Sequence, residues 1–326
     1  MRAVVIPQFG DSDVLEIREV PIPQPAAGQV TIQVAYVGVN YADLMARQRG
    51  YMVEHLPFVP GYEVAGYIHA VGQGVKGLHV SQPVAALTVR GGYAEFALAS
   101  AMLTFPLDQQ EQKIELTTAA GFPATGLTAY NLLADVARLR PGESVLVHAA
   151  AGGIGTVAAQ IARHLGAGQL IGTVGNRDKV SSALFAGYDQ VVLRKDFVQA
   201  VQEASGGKGV DIVLDSVGEP ARSQSLSLLA PFGRLVVFGN AGGQPDISFT
   251  PMSLLADSRA IMGYSITGLT QSAPHLVAET ARKVLPLIAN GEVRIDVTTI
   301  LPLEQAAEAH RLMENRTATG KLLLRL

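Results

Sequence analysis

The segment His148-Ala149-Ala150-Ala151-Gly152-Gly153-Ile154-Gly155 closes an apolar run and opens a stretch with helical spacing. Small residues at a strand-to-helix turn suit the binding of phosphates. They let the backbone come close to an anion, while the amides at a helix amino terminus point outward with a partial positive charge. Gly152 would allow approach to a pyrophosphate, Gly155 would let helix and strand pack closely, and Gly153 and Ile154 lie between them in the opening turn. Ala150 occupies the first glycine of the usual G-x-G-x-x-G pattern. Taken alone, such a cluster also fits an ordinary strand-to-helix turn.

Beyond this turn, at the end of the next strand, the chain reads Gly175-Asn176-Arg177-Asp178-Lys179. NAD-binding chains place an acidic residue about 20 residues past the fingerprint to hold the ribose hydroxyls. Here the strand ends in Gly175, and Asp178 lies past the expected position. Arg177 and Lys179 offer cations to a 2′-phosphate, so NADPH is expected over NADH. The competing reading of the two cations is a solvated helix start.

These residues need a scaffold, and the hydrophobic pattern supplies one. From about residue 123, strands and helices alternate. Ser144 to Ala149 reads as a strand, Ile154 to Leu165 as a helix, Gln169 to Val174 as a strand, Lys179 to Phe185 as a helix and Gln190 to Leu193 as a strand. A second half follows, with helices Phe197 to Ala204 and Ala221 to Leu229 and strands Val210 to Leu214, Arg234 to Phe238 and Ala260 to Ile266. The pattern predicts a doubly wound, six-stranded parallel sheet. Before it come short β segments, among them Gln29 to Val37, Glu63 to Val71 and Tyr93 to Ala97, and a short helix of weak periodicity over Tyr41 to Arg49. After it come a helix over Pro274 to Ala289, a β segment at Asp296 to Leu301, a helix over Leu303 to Met313 and a strand from Lys321. These are too few for a separate domain, so they are expected to return to the first lobe. The division expected is residues 1–122 with 267–326, and 123–266 between them.

The composition narrows the chemistry. Among 326 residues there is no cysteine, which excludes disulfides, thiolate zinc sites and cysteine nucleophiles. Charged residues make up 16% and hydrophobic ones 48%, a globular balance, and the net charge of −3 arises without a basic run. No nucleic acid or membrane partner is therefore expected, but a small molecule. The first residues, broken by Pro7, lack the pattern of a signal peptide, so a cytoplasmic protein is expected.

Along its length the chain resembles the zinc-independent quinone oxidoreductase (zeta-crystallin-like) branch of the medium-chain dehydrogenase/reductase superfamily. The likeness rests on Gly38-Val39-Asn40-Tyr41-Ala42-Asp43, Pro60-Gly61-Tyr62-Glu63, the Ala-rich fingerprint, Asp215-Ser216-Val217-Gly218, Gly233-Arg234-Leu235-Val236 and Ala318-Thr319-Gly320-Lys321. It implies a Rossmann domain inserted into a GroES-like, mostly β catalytic domain, and a homodimer, with the strand near Ala260 to Ile266 as the candidate contact. Zinc alcohol dehydrogenases of the superfamily carry a Cys ligand where this chain resembles them at Asn40, and a His ligand at Tyr62. Without such a Lewis acid, alcohol oxidation is disfavoured.

The resemblance also assigns roles. Asn40 and Tyr51 are expected to face the nicotinamide, the amide orienting carboxamide or substrate and the phenol donating to an enolate-like oxygen. Thr128, Gly218, Phe238, Gly239, Asn240, Arg316 and Lys321 are expected to line the dinucleotide. Many relatives carry an aromatic residue at the end of the third strand, where this chain has Leu193-Arg194, and Arg194 is a substitute phosphate partner. Asp43 is expected to be structural rather than a base. The function implied is hydride transfer from NADPH to a quinone or another α,β-unsaturated carbonyl acceptor. The alternatives are a 2-enoyl thioester reductase and a non-catalytic NADPH-binding protein.

Overall fold

The computed structural model describes residues 1–88, 90–246 and 248–326. The chain divides into two compact units, one of Met1–Leu127 with Ile266–Leu326 and one of Thr128–Ser265.

In the first unit β1 (Arg2–Val5) pairs with β2 (Glu16–Glu19), and the long strand β3 (Gln29–Val39) anchors the main sheet. The β-branched residues Val30, Ile32 and Val34 alternate into the core. A register irregularity between Val34 and Tyr36 then shifts the alternation by one, so that Val37 and Val39 are the buried pair beyond it. Helix α1 (Tyr41–Arg49) follows and stops at Gly50, whose φ of +69° suits a residue without a side chain. Next come β4 (Glu63–Val71), β5 (Pro83–Leu87), β6 (Phe96–Ser100), β7 (Thr104–Pro106) and α2 (Leu116–Tyr130). The sixth strand was expected at Tyr93 to Ala97. The Tyr93 amide instead donates to Pro60 O and that of Ala94 to Gly92 O, which holds this stretch in a turn and starts the strand at Phe96.

The second unit is the expected doubly wound sheet. Its elements are β8 (Ser144–His148), α3 (Gly153–His164), β9 (Gln169–Val174), α4 (Val180–Phe185), β10 (Gln190–Leu193), α5 (Phe197–Ala204), β11 (Val210–Asp215), α6 (Ala221–Ser227), β12 (Leu229–Val237), α7 (Pro251–Asp257) and β13 (Ala260–Gly263). The strands run parallel in the order β10-β9-β8-β11-β12-β13. Val145, Leu146, Val147, Ile212, Val213 and Leu214 are wholly buried, as continuous apolar runs in a covered parallel sheet must be. Several boundaries differ from the sequence pattern, among them the strand expected at Ala260 to Ile266, which ends at Gly263 because Ile266 opens the next helix. Helix α6 ends at Ser227, because β12 begins at Leu229 rather than Arg234. Arg177–Lys179 form a separate tight turn before α4, closed by the Asn176 side chain accepting from the Asp178 amide at 3.1 Å.

The chain then returns to the first unit through α8 (Ile266–Ser272), α9 (Pro274–Ala289), β14 (Val297–Pro302), α10 (Ala306–Glu314) and β15 (Lys321–Arg325). Strand β15 pairs antiparallel with β3, and β14 pairs parallel with β15, completing a sheet ordered β14-β15-β3-β4-β5-β7 with β6 on β3.

Candidate functional site

The fingerprint turn joins β8 to α3. A methyl group on Gly155 would lie 2.4 Å from Ala149 O and 2.7 Å from Ala150 O, so helix and strand meet at a distance only glycine permits. Tyr188 reinforces the contact by donating its hydroxyl to Gly155 O at 2.7 Å, and burial pushes its ionisation well above the usual range. Gly152 is the cap residue before the helix, and among the described residues a methyl group on it would meet only Ala149 O, at 3.2 Å. The first-turn amides of Gly153, Ile154 and Gly155 are those a helix leaves without an acceptor of its own. Below the turn, His148 is clamped between Thr173 Oγ1 (2.8 Å) and Ser225 Oγ (2.7 Å). Since the Ser225 hydroxyl donates to Ala221 O, the ring must donate from Nε2 and accept at Nδ1. Burial lowers its pKa to about 4, so it is neutral at pH 7.

At the end of β9, Gly175 and Arg177 are exposed and Lys179 is half-buried. Arg194, from the residue after β10, reaches over Gly175: its Nη2 would lie 3.5 Å from a methyl group there. Arg194 and Gly175 thus come together, while Arg177 points from the turn that follows.

The carboxyl end of β11 is held by Asp215. Its Oδ1 accepts from the amides of Val217 (2.7 Å) and Gly218 (3.1 Å), and its Oδ2 from Arg222 Nε (2.7 Å). Arg222, almost wholly buried, also donates to Gly239 O at 2.7 Å, tying this turn to the end of β12. Gly218 has φ +89°, and a methyl group on it would meet Asn240 Oδ1 at 2.1 Å. That oxygen is buried and has no hydrogen-bond partner among the described residues. A buried acceptor without a donor is costly and fits a site completed by a ligand hydroxyl or amide. Phe238 lies beside it on the same edge. Thr128 is buried and shares hydrogen bonding with the Tyr264 hydroxyl, which accepts from Asn131 Nδ2 at 2.9 Å.

In the first unit, Asn40 ends β3 and opens α1. Its Nδ2 donates to Gly38 O (3.1 Å) and Glu63 Oε1 (3.0 Å), and its Oδ1 accepts from Lys321 Nζ (2.7 Å). Both amide protons are therefore engaged inside this unit. Lys321 also pairs with Glu63 and donates to Val39 O at 3.0 Å. The second Glu63 oxygen accepts from the Ala124 amide at 2.7 Å, next to Pro123 in α2. Gly38 makes room for this carboxylate, since a methyl group there would lie 2.3 Å from Glu63 Oε1. Tyr51 follows the Gly50 turn and is 37% exposed. Tyr62 is buried, with its ionisation raised chiefly by that burial. Arg316 is exposed at a φ of +56°.

Behind Asn40 lies a group of buried polar side chains that the sequence did not bring together. Asp43 accepts from the Asn40 amide at Oδ2 (2.9 Å) and from the Gly61 amide at Oδ1 (2.9 Å). The Tyr93 hydroxyl lies 3.5 Å from Asp43 Oδ2 and 3.1 Å from His310 Nε2. Arg47 Nη1 lies 3.4 Å from His310 Nδ1, and its Nη2 pairs with Glu314. Asp43, Arg47, Tyr93 and His310 are all fully buried. Burial raises Asp43 to about 7 and lowers His310 to about 3, the latter with help from Arg47. Among the described residues no group of three or more His, Cys, Asp or Glu side chains is placed to hold a metal ion.

Residues 26–109 match the alcohol dehydrogenase GroES-like domain family, and residues 153–289 the zinc-binding dehydrogenase family. The chain is 33% identical over its full length to rat (Rattus norvegicus) quinone oxidoreductase, covering 98% of that protein. It is 32% identical to a 2-haloacrylate reductase of Burkholderia sp, covering 99% of this chain and 98% of that one. The crystal structure of Escherichia coli quinone oxidoreductase complexed with NADPH superposes over 100% of both chains with a TM-score of 0.91 at 32% identity.

Proposed function

Since the chain belongs to the zinc-independent quinone oxidoreductase branch of the medium-chain dehydrogenase/reductase superfamily, we propose that it is an NADPH-dependent oxidoreductase that reduces a quinone or another α,β-unsaturated carbonyl compound without a metal. The observation that carries the reading is the open carboxyl edge of the second unit's sheet. There the α3 amides, the Gly218 turn and the unpartnered Asn240 oxygen face one edge, where open α/β sheets bind ligands.

In this reading Gly152, Gly153, Ile154 and Gly155 hold the pyrophosphate, while Gly218, Phe238, Gly239, Asn240 and Thr128 hold the nicotinamide half. Gly175 and Asn176 leave space at the end of β9 for a 2′-phosphate, with Arg194, Lys179 and Arg177 as its cations. Bound NADPH supplies the hydride. Tyr51 keeps an exposed phenol that can donate to an oxygen as negative charge develops on it. Asn40, whose amide protons are engaged, offers its remaining oxygen lone pair and holds Lys321 in place. The two expected terminal cations part company: Lys321 is buried on Glu63, and Arg316 stays in solvent.

A 2-haloacrylate is an electron-poor alkene, and a relative that reduces one favours conjugated acceptors. We further propose a cytoplasmic homodimer. Strand β13 is the last of its sheet, and Met252 and Leu255 on α7 and Phe232 expose large apolar side chains in the same unit. No helix of the described residues is long and apolar enough to cross a membrane.

The decisive experiment follows NADPH oxidation with a panel of quinones, enones and enoyl thioesters. Turnover of quinones or enones is expected. Turnover of thioesters alone would move the assignment to an enoyl thioester reductase, and tight NADPH binding with no turnover would make the protein a binder.

A further inference from the structure

We infer that Arg47, His310 and Tyr93 form a directed hydrogen-bond relay that keeps Asp43 an anion and thereby positions Asn40 at the start of α1. The direction follows from counting protons. A guanidinium only donates, so His310 Nδ1 must accept from Arg47 Nη1 and the ring proton sits on Nε2. That proton goes to the Tyr93 oxygen, and the Tyr93 hydroxyl is left with Asp43 Oδ2 as its acceptor. Asp43 already accepts the amides of Asn40 and Gly61, so all three of its contacts want a carboxylate. A protonated Asp43 would compete with His310 for the Tyr93 oxygen and leave the phenol proton without an acceptor.

Burial opposes this. Asp43 is fully enclosed, which favours its neutral form and raises it to about 7. The groups that face it are Arg47 on its own helix, Tyr62 and Glu63 from the start of β4, Tyr93, His310 from α10 and Lys321 from β15. Lys321 favours the anion and Glu63 disfavours it, and these two are engaged with each other. The amides of Asn40 and Gly61 favour the anion most, and the relay adds to them from the other side. Its 3.1 Å link is of ordinary length while those of 3.4 and 3.5 Å are long and weak, so its value lies in direction. Arg47 is itself fixed by the Glu314 pair, so the relay begins at a half-exposed carboxylate and ends at the amide of Asn40. None of its members is a catalytic residue; they act through Asn40. Only the kinetic consequence rests on the reductase reading.

The test is a carbon-13 NMR titration of the Asp43 carboxyl in the full chain without cofactor. Tyr93→Phe and His310→Leu should raise the Asp43 midpoint by about 0.5–1 pH unit, the size of one modest hydrogen bond to a charge. His310→Gln should leave it at the wild-type value, because the glutamine amide can accept from Arg47 and donate to Tyr93. If His310→Leu does not fold, Tyr93→Phe keeps the ring and carries the same test. Unchanged midpoints in folded variants, or a His310→Gln midpoint that moves with His310→Leu, would overturn the relay. The pH at which kcat changes should shift in the same direction in Tyr93→Phe. A carboxyl that moves while kcat does not overturns the coupling to Asn40 alone. Absence of turnover by the wild type would sink the reductase reading and leave the titration standing.

Discussion

Lys321 and Glu63 form a buried ion pair, with side-chain exposures of 4% and 0%, and Asn40 closes it by binding both partners. Removing one partner of such a pair leaves the other charge stranded, which costs about 3–5 kcal/mol, whereas removing both costs far less. Lys321→Met and Glu63→Gln should each lower the urea midpoint of the protein markedly. The double variant should recover most of the loss. Additive losses would show that the two side chains do not act on each other.

Gly218→Ala should cripple NADPH binding and spare the fold. The added methyl group would collide with Asn240 Oδ1 and meet a φ of +89°, so the turn would shift at the carboxyl edge of β11. A rise in Kd of at least about tenfold, or 1.4 kcal/mol, is expected by fluorescence titration with an unchanged far-ultraviolet spectrum.

The preference for NADPH over NADH should depend on Arg194 and Lys179. One charge-assisted contact contributes about 1.5–3 kcal/mol, which is roughly 10 to 150-fold. Arg194→Ala and Lys179→Ala should each weaken NADPH by at least about tenfold and leave NADH nearly unchanged. Equal losses for both cofactors would assign the cation to the fold.

Tyr51→Phe removes a hydroxyl and keeps the ring. If the phenol stabilises a developing oxyanion, turnover should fall about 10 to 150-fold, following about 1.5–3 kcal/mol for a charge-assisted bond. The KM for NADPH should not change. An unaltered kcat would leave Tyr51 as a wall of the site only.

Acid should destabilise the protein through its buried histidines. His310 and His148 are lowered to about 3 and about 4, so between those values and about 6.5 the unfolded chain binds protons that the native chain refuses. Their contribution is fully present above pH 6.5 and is lost as pH falls toward 4. Asp43, raised to about 7, has the opposite sign, its contribution being lost as pH rises through neutrality. His310→Gln should flatten the decline of the urea midpoint between pH 6 and 4. An unchanged slope would argue that His310 is accessible to protons in the native state.

What the sequence made legible was what lies close together along it. The doubly wound sheet announced itself through apolar strands separated by helical spacing, and the phosphate turn is eight consecutive residues. The weak periodicity of α1 has a cause that only the structure supplies: Asp43 and Arg47, one turn apart, occupy its core-facing positions, where the pattern looks for apolar side chains. The resemblance makes Lys321 a cofactor cation because it covers that motif, but it carries no signal for the buried pair with Glu63, which is far from Lys321 along the chain; Asn40, which both share, is 281 positions from Lys321. His310 and Tyr93 are separated by 217 residues and carried no signal at all.

The pairing of β15 with β3 also fixes an order of events during synthesis. The second unit, Thr128–Ser265, is one continuous stretch, so all its strands are made before Lys321–Arg325. Strand β3 is made before the whole second unit and must wait for Lys321–Arg325, made after it, before the Tyr36–Val39 end of its edge is covered. Until then the Tyr36–Val39 end of β3, beyond its pairing with β6, offers an unpaired edge, the kind of template that invites association with a neighbouring nascent chain. Domains generally fold as units during translation, so the nucleotide-binding unit should be native while its host is still open. Loss of β15 would therefore strike solubility before it reached the chemistry.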